Sequence, residues 1–158
     1  MTPDVRFWNG RPVCVVGGTG FLGWHMARQL ADLEATVRIF GLPPRNDHPL
    51  LHQSAIEPLF GDVRDRAAVA RAVAGCAAVF NVAGVVSARA ADRAGFRAVH
   101  RDAIQNILGT AEPAARIIHT SSITTLGPSR PGKPITEDTR PSSDIGVDYV
   151  AAKGDAEQ

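Results

Sequence analysis

The chain has 158 residues, enough for one domain with a real core and too few for two of ordinary size, and its 17 Lys plus Arg stand against 16 Asp plus Glu. That balance gives no electrostatic reason to bind nucleic acid, an anionic membrane or an acidic partner. Cys14 and Cys76 lack the spacing of a zinc site or disulfide framework, and no apolar run suits a signal peptide or a bilayer span, so a soluble cytoplasmic protein with reduced core thiols is expected.

In chain order, Pro12–Val16 is a short apolar run ending at glycines, the pattern of a parallel strand buried on both faces. Leu22, Met26, Leu30 and Leu33 recur at helical spacing, with Arg28, Gln29 and Asp32 between them. This predicts an amphipathic helix over residues 21–33, with Trp24 and Met26 packing it against its neighbours. Residues 36–40 are rich in β-branched side chains and predict a second strand, closed by Pro43 and Pro44. After a loop to about residue 52, Ile56–Phe60 reads as a third strand, 65–74 as a helix and 78–82 as a fourth strand. A long helical pattern covers 91–110, and 116–120 is a fifth strand beyond the helix-ending Pro113. Pro, Gly, Ser and Thr dominate residues 124–148, a loop, before a last helix begins near Val147. Strand alternating with helix predicts one α/β domain, a doubly wound parallel sheet that takes its ligand at the carboxyl ends of the strands.

Gly17, Gly20 and Gly23, with Phe21 and Leu22 between them, fall where the first strand turns into the first helix. There Gly17 permits a tight turn, Gly20 admits a pyrophosphate to the backbone, and Gly23 lets the helix pack closely. The helix start then offers free N–H groups to phosphates. Further on, Tyr149 and Lys153 stand four residues apart and share a helical face. A phenol is a poor acid/base catalyst at neutral pH, and a neighbouring cation favours its phenolate. The same spacing is also common on solvated helix faces. The five histidines, His25, His48, His52, His100 and His119, show no ligand spacing, so no metal site is expected.

From Val13 to Gln158 these features together resemble the extended short-chain dehydrogenases/reductases. The likeness is greatest to the branch holding dihydroflavonol reductases, 3β-hydroxysteroid dehydrogenases and sugar epimerases. Beyond the glycine turn, Gly61-Asp62-Val63 is similar to the acidic segment after the family's third strand, and Asn81-Val82-Ala83-Gly84 to its fourth-strand motif. His119-Thr120-Ser121-Ser122-Ile123 resembles the segment bearing the family's serine, and Thr136-Glu137-Asp138 and Ala156-Glu157 add to the likeness. The resemblance implies a Rossmann sheet of strand order 3-2-1-4-5 and a nicotinamide cofactor. Asp62 and Val63 would lie at the adenine, and Val82, Ala83 and Gly84 along the dinucleotide. It implies a triad in which Tyr149 exchanges a proton with a hydroxyl or carbonyl, Lys153 supports Tyr149 and binds the ribose, and Ser122 orients the substrate oxygen. The substrate would be a small hydroxyl or carbonyl compound or a nucleotide sugar. A homodimer would form through the helix near Ala91 and the Tyr-bearing helix.

Three departures qualify that picture. Phe40-Gly41-Leu42 places no acid at the end of the second strand, where NAD-preferring relatives carry one, and Arg45 follows nearby. NADP(H) is therefore favoured over NAD(H), with Arg45 either pairing with the 2′-phosphate or standing as a solvated loop charge. His100 stands where relatives commonly have Asn. The family also continues into a further strand-helix half and a substrate domain, so the chain reads as an incomplete fold truncated after the Tyr-Lys pair. A catalytically silent cofactor-binding or interaction module is the alternative to an enzyme.

Overall fold

The computed structural model describes residues 5–44, 48–49, 54–85, 93–129, 132–139 and 147–158. Among them, β1 (Pro12–Val16), β2 (Thr36–Gly41), β3 (Ile56–Phe60), β4 (Ala78–Asn81) and β5 (Arg116–His119) form a parallel sheet in the order β3-β2-β1-β4-β5. This is the expected order. β1 pairs with β2 on one side, Val13 opposite Val37, and with β4 on the other, Val13 opposite Ala78.

With both edges paired and both faces covered, β1 has no place for a polar side chain, which accounts for the unbroken apolar run. Its residues alternate between two cores. Cys14 and Val16 join Phe40 and Val79 beneath α3 (Arg66–Val73) and α5 (Ala103–Leu108). Val13 and Val15 join Val37, Ile39 and Ile56 beneath α2 (Phe21–Asp32), which contributes Trp24, Ala27 and Leu30. Cys14 and Cys76 are unpaired thiols in the first core, and burial raises both above the ordinary thiol value.

One charged side chain interrupts the apolar pattern of β2. The Arg38 guanidinium donates to the carbonyls of Ala72 (2.9 Å) and Ala74 (3.1 Å), at the end of α3, and pairs with Glu57 of β3 at 3.0 Å. It satisfies helix-terminal carbonyls that α3 cannot. At the other end of α3, the Asp65 carboxylate caps the N–H groups of Ala67 and Ala68.

Several boundaries differ from the sequence expectation. A short α1 (Val5–Trp8) precedes the sheet and lays Trp8 against Phe80, ring centroids 5.7 Å apart. β4 ends at Asn81 because the Asn81 side-chain oxygen accepts the Ala83 N–H (3.2 Å) and turns the chain out of the ladder. The helix expected over 91–110 runs as α4 (Arg93–Arg97), a π-helical turn at Ala98–Asp102, and α5; residues 91 and 92 lie outside the described residues. Within the expected loop, Ile123–Leu126 forms a 3-10 turn. The last helix, α6, is Asp148–Glu157.

This packing makes the second core sensitive to lost volume. Ile39, 0% exposed, truncated to Ala should cost about 2–5 kcal/mol in urea denaturation, whereas Leu108→Ala, at a side chain 61% exposed, should stay within about 0.5 kcal/mol. Equal effects would contradict this placement of the core.

Candidate functional site

The turn leaving β1 is held by backbone. Gly17 donates to the Phe40 carbonyl at 2.7 Å and adopts φ +88°, a left-handed conformation natural to glycine. A Cβ on Gly17 would lie 2.6 Å from the Ala83 nitrogen, and one on Gly23 would overlap the Gly17 carbonyl oxygen. The turn is therefore wedged between α2 and the chain leaving β4, with no room for a side chain on either side. α2 starts at Phe21 without a side-chain cap on Gly20, so its first N–H groups have no partner within the helix. The Phe21 and Leu22 side chains are 84% and 51% exposed. Neither residue is among those that line the cleft beside the turn.

Beside this turn a cleft of about 400 Å³ runs across the carboxyl ends of β1 to β4. It unites Gly17 and Gly20 with Asp62 and Val63 after β3, and with Val82, Ala83 and Gly84 after β4. Gly41 and Leu42 border it at the end of β2, and Gly95 and Val99 close the far side. Among the described residues no acid lines the cleft at the β2 end, and Arg45 lies outside them.

Asp62 accepts from the Arg64 side chain through both carboxylate oxygens, at 2.5–3.0 Å, and from the Arg64 backbone N–H at 2.9 Å. That pairing holds the Asp62 carboxyl below its ordinary range. Asp62 is thus both a turn-forming carboxylate and part of the cleft wall. Arg64, not among the residues expected at the site, lines the cleft with it.

Ser122, Tyr149 and Lys153 lie outside the cleft lining, on β5's exit and on α6. Tyr149, Lys153 and Glu157, at intervals of four, share one face of α6. The Lys153 ammonium donates to the Thr120 carbonyl at 2.7 Å, and Glu157 accepts from the hydroxyls of Ser121 and Thr125. β5's exit is therefore tied to α6 at three points that flank Ser122. The Ser122 hydroxyl pairs with the Thr124 hydroxyl at 2.8 Å and accepts the Thr124 N–H, capping the 3-10 turn. Burial pushes Lys153 below the ordinary ammonium range, with Glu157 opposing.

Two imidazoles stand nearby, His100 buried and His119 half-buried. The Asn81 amide meets His119 Nδ1 at 3.0 Å, and His119 Nε2 has no partner among the described residues. His100 lies beside Tyr149, their ring centroids 5.6 Å apart. Burial lowers both histidines from the ordinary value of 6.5, and the Lys153 charge adds to it. The Val85 hydrogen bond opposes the shift at His100, and Glu157 opposes it at His119. Among the described residues no cluster of three or more His, Cys, Asp or Glu could hold a metal, and no helix is long and apolar enough to cross a membrane.

Comparison with known proteins follows the same outline. The model of the 3-beta hydroxysteroid dehydrogenase/isomerase family matches residues 14–158. Sterol demethylase protein B of Methylococcus capsulatus is 30% identical over 145 residues, covering 90% of this chain and 44% of that protein. A ceramide reductase of Caulobacter vibrioides is 33% identical over 120 residues, covering 74% of this chain and 36% of its own length. The chain thus spans less than half the length of these curated relatives. Among solved structures, a short-chain dehydrogenase/reductase superfamily protein from Agrobacterium tumefaciens with bound NAD superposes with a TM-score of 0.77 at 26% identity, over 93% of this chain and 43% of that one.

Two measurements check the site's construction. Gly23→Ala should cost roughly 2–4 kcal/mol, because its methyl group meets backbone that cannot yield. Gly154→Ala, where a Cβ meets nothing within 4 Å on α6, should stabilise by about 0.5–1 kcal/mol. The two histidines set the pH dependence. Their depressed folded-state values mean that the stability they contribute is complete above the ordinary value of 6.5 and is lost as pH falls through the lowered one. The urea midpoint should hold from about pH 8 to 6.5 and then fall, before Asp62 adds its loss nearer about pH 4. A midpoint unchanged down to about pH 5 would overturn this.

Proposed function

The chain belongs to the 3-beta hydroxysteroid dehydrogenase/isomerase family, and from that premise we propose that it binds NADP(H) or NAD(H) in the cleft and supplies the acid/base side chains of an oxidoreductase or epimerase. The observation that carries this reading is the single cleft uniting the Gly17 turn, Asp62-Val63 and Val82-Ala83-Gly84 at the carboxyl ends of adjacent strands. A dinucleotide fits these residues. The side-chain-free turn and the open start of α2 suit a pyrophosphate, and the apolar wall of Val82 and Ala83 suits a flat ring.

When bound, the cofactor gives or accepts a hydride. Tyr149 exchanges the proton with the substrate's hydroxyl or carbonyl oxygen, and Lys153 binds the ribose while its Thr120 bond holds the ammonium in place. The Ser122 hydroxyl orients the substrate oxygen; when Thr124 is the donor of their pair, Ser122 keeps its own proton to offer. The substrate is a small molecule carrying a hydroxyl or carbonyl. NADP(H) is favoured because, among the described residues, the end of β2 brings Gly41 and Leu42 and no carboxylate to the cleft.

Calorimetric titration with NADP+ and NAD+ tests the reading. Tighter binding of NADP+ is expected. Tyr149→Phe should leave affinity within about twofold, whereas Lys153→Ala should weaken it about tenfold, since only the second removes a charged contact. Across a panel of alcohols and nucleotide sugars, any turnover should vanish in Tyr149→Phe. Tighter NAD+ binding would reverse the preference, turnover surviving in Tyr149→Phe would remove Tyr149 from its role, and binding of neither cofactor would remove the reading itself.

A further inference from the structure

We propose that His100 is a positioning residue that joins the cleft wall at Gly84-Val85 to the ring of Tyr149, so that cofactor pocket and proton donor are set by one imidazole. The inference rests on the reading of the cleft and Tyr149 given above. It starts from an anomaly: His100 is 1% exposed in the π-helical turn, and one of its ring nitrogens, Nδ1, has no hydrogen-bond partner among the described residues. Burying a polar ring at that cost calls for a compensating contact.

That contact is the backbone of the cleft wall. His100 Nε2 lies 3.1 Å from the Val85 carbonyl oxygen and 3.4 Å from the Val85 nitrogen. One ring nitrogen cannot serve both groups at once. The shorter contact selects the tautomer protonated on Nε2, which donates to the carbonyl and leaves Nδ1 a bare acceptor. The opposite tautomer would bury an N–H at Nδ1 with no described residue to receive it. The ring also sets the depth of the wall, since a Cβ added to Gly84 would come 2.9 Å from His100 Cε1.

The same ring faces Tyr149. Their planes stand at 85° with centroids 5.6 Å apart, an edge-to-face contact, while Phe96 lies parallel to His100 at 6.3 Å and edge-on to Tyr149 at 6.3 Å. A shift of the imidazole therefore moves the Val85 wall and the phenol ring together.

Protonation is the lever that would shift it. An imidazolium would place a donor at the partnerless Nδ1 and a second positive charge near Lys153. Among the described residues, the titratable groups around His100 are Tyr149 and Lys153 from α6 and His119 from β5. The wall residues Val82 to Val85 have no ionisable side chain. On the same helical run, Arg97 pairs with Asp155 at 3.8 Å, and Arg101 and Asp102 adjoin the histidine.

The test is made on the whole chain labelled with 15N and 13C. Between about pH 8 and 5, His100 ring nitrogens should report the Nε2-protonated tautomer at the upper end, with a protonation midpoint below the ordinary His value. The Val85 amide and Tyr149 ring signals should move with that same midpoint. In His100→Asn, which keeps a side-chain donor for the Val85 carbonyl, those shifts should disappear. His100→Gln repeats the measurement if the Asn variant does not fold. Val85 and Tyr149 signals that stay still while His100 titrates, or that keep their midpoint in the variant because His119 drives them, overturn the proposal.

Calorimetry with NADP+ in the same buffers should show wild-type affinity falling about tenfold across the His100 midpoint, the cost of one misplaced hydrogen bond. The variant's titration subtracts the contribution of the cofactor's own 2′-phosphate. If no cofactor binds at any pH, the cofactor reading fails while the linked movement of Val85 and Tyr149 still decides the role of His100.

Discussion

The chain leaving β1 and the chain leaving β4 approach so closely that the separation between them is set by the absence of a single methyl group at Gly17. β1 and β4 are hydrogen-bonded neighbours, so their exits diverge only after the ladder ends, and the cleft opens in the gap. The Val82 N–H still donates to the Val16 carbonyl at 2.9 Å, one step before Gly17 turns away. A side chain at Gly17 would push the Val82–Ala83 wall outward, and one at Gly23 would push α2 off the turn. The pocket floor, the exposed start of α2 and the wall carrying Val85 all inherit their positions from this one close approach.

The second centre of order is the face of α6. Lys153 grips a backbone carbonyl and Glu157 grips two hydroxyls, all on the short exit from β5. Each bond removes a freedom that a Pro-, Gly- and Ser-rich stretch would otherwise keep. The buried Lys153 charge is made tolerable by the carbonyl it holds and by the Glu157 carboxylate one turn further along. Edge strand and closing helix thus stabilise one another, and the hydroxyl of Ser122 is held between them.

Much of this was legible in residue types. A strand buried on both faces must be apolar throughout, so β1 and its ending at Gly17 could be read directly, and the glycine spacing carried the turn and the helix start. The end of β4 could not be read, because it depends on whether the Asn81 side chain turns back to its own backbone. A 3.6-residue period signals a helix but is silent about one extra residue in a turn, so the π-helical segment around His100 went unseen. In the site, the four-residue spacing of Tyr149 and Lys153 announced a shared face. The partner of Lys153 did not show itself, since a backbone carbonyl such as that of Thr120 exists at every residue and leaves no mark in the sequence. Arg64 was hidden for a different reason: a charged residue in a loop looks solvated until the chain folds its guanidinium onto Asp62.

The placement of the two cysteines has a practical consequence for handling the molecule. Cys14 on β1 and Cys76 between α3 and β4 lie in the first core, where burial raises both thiols, so the thiolate that attacks disulfides, alkylating agents and peroxides is scarce at neutral pH. Oxidants will leave the native core untouched until it opens. A reporter thiol introduced on the surface would therefore be labelled selectively in the folded chain, with both natural cysteines left in place as silent gauges of unfolding.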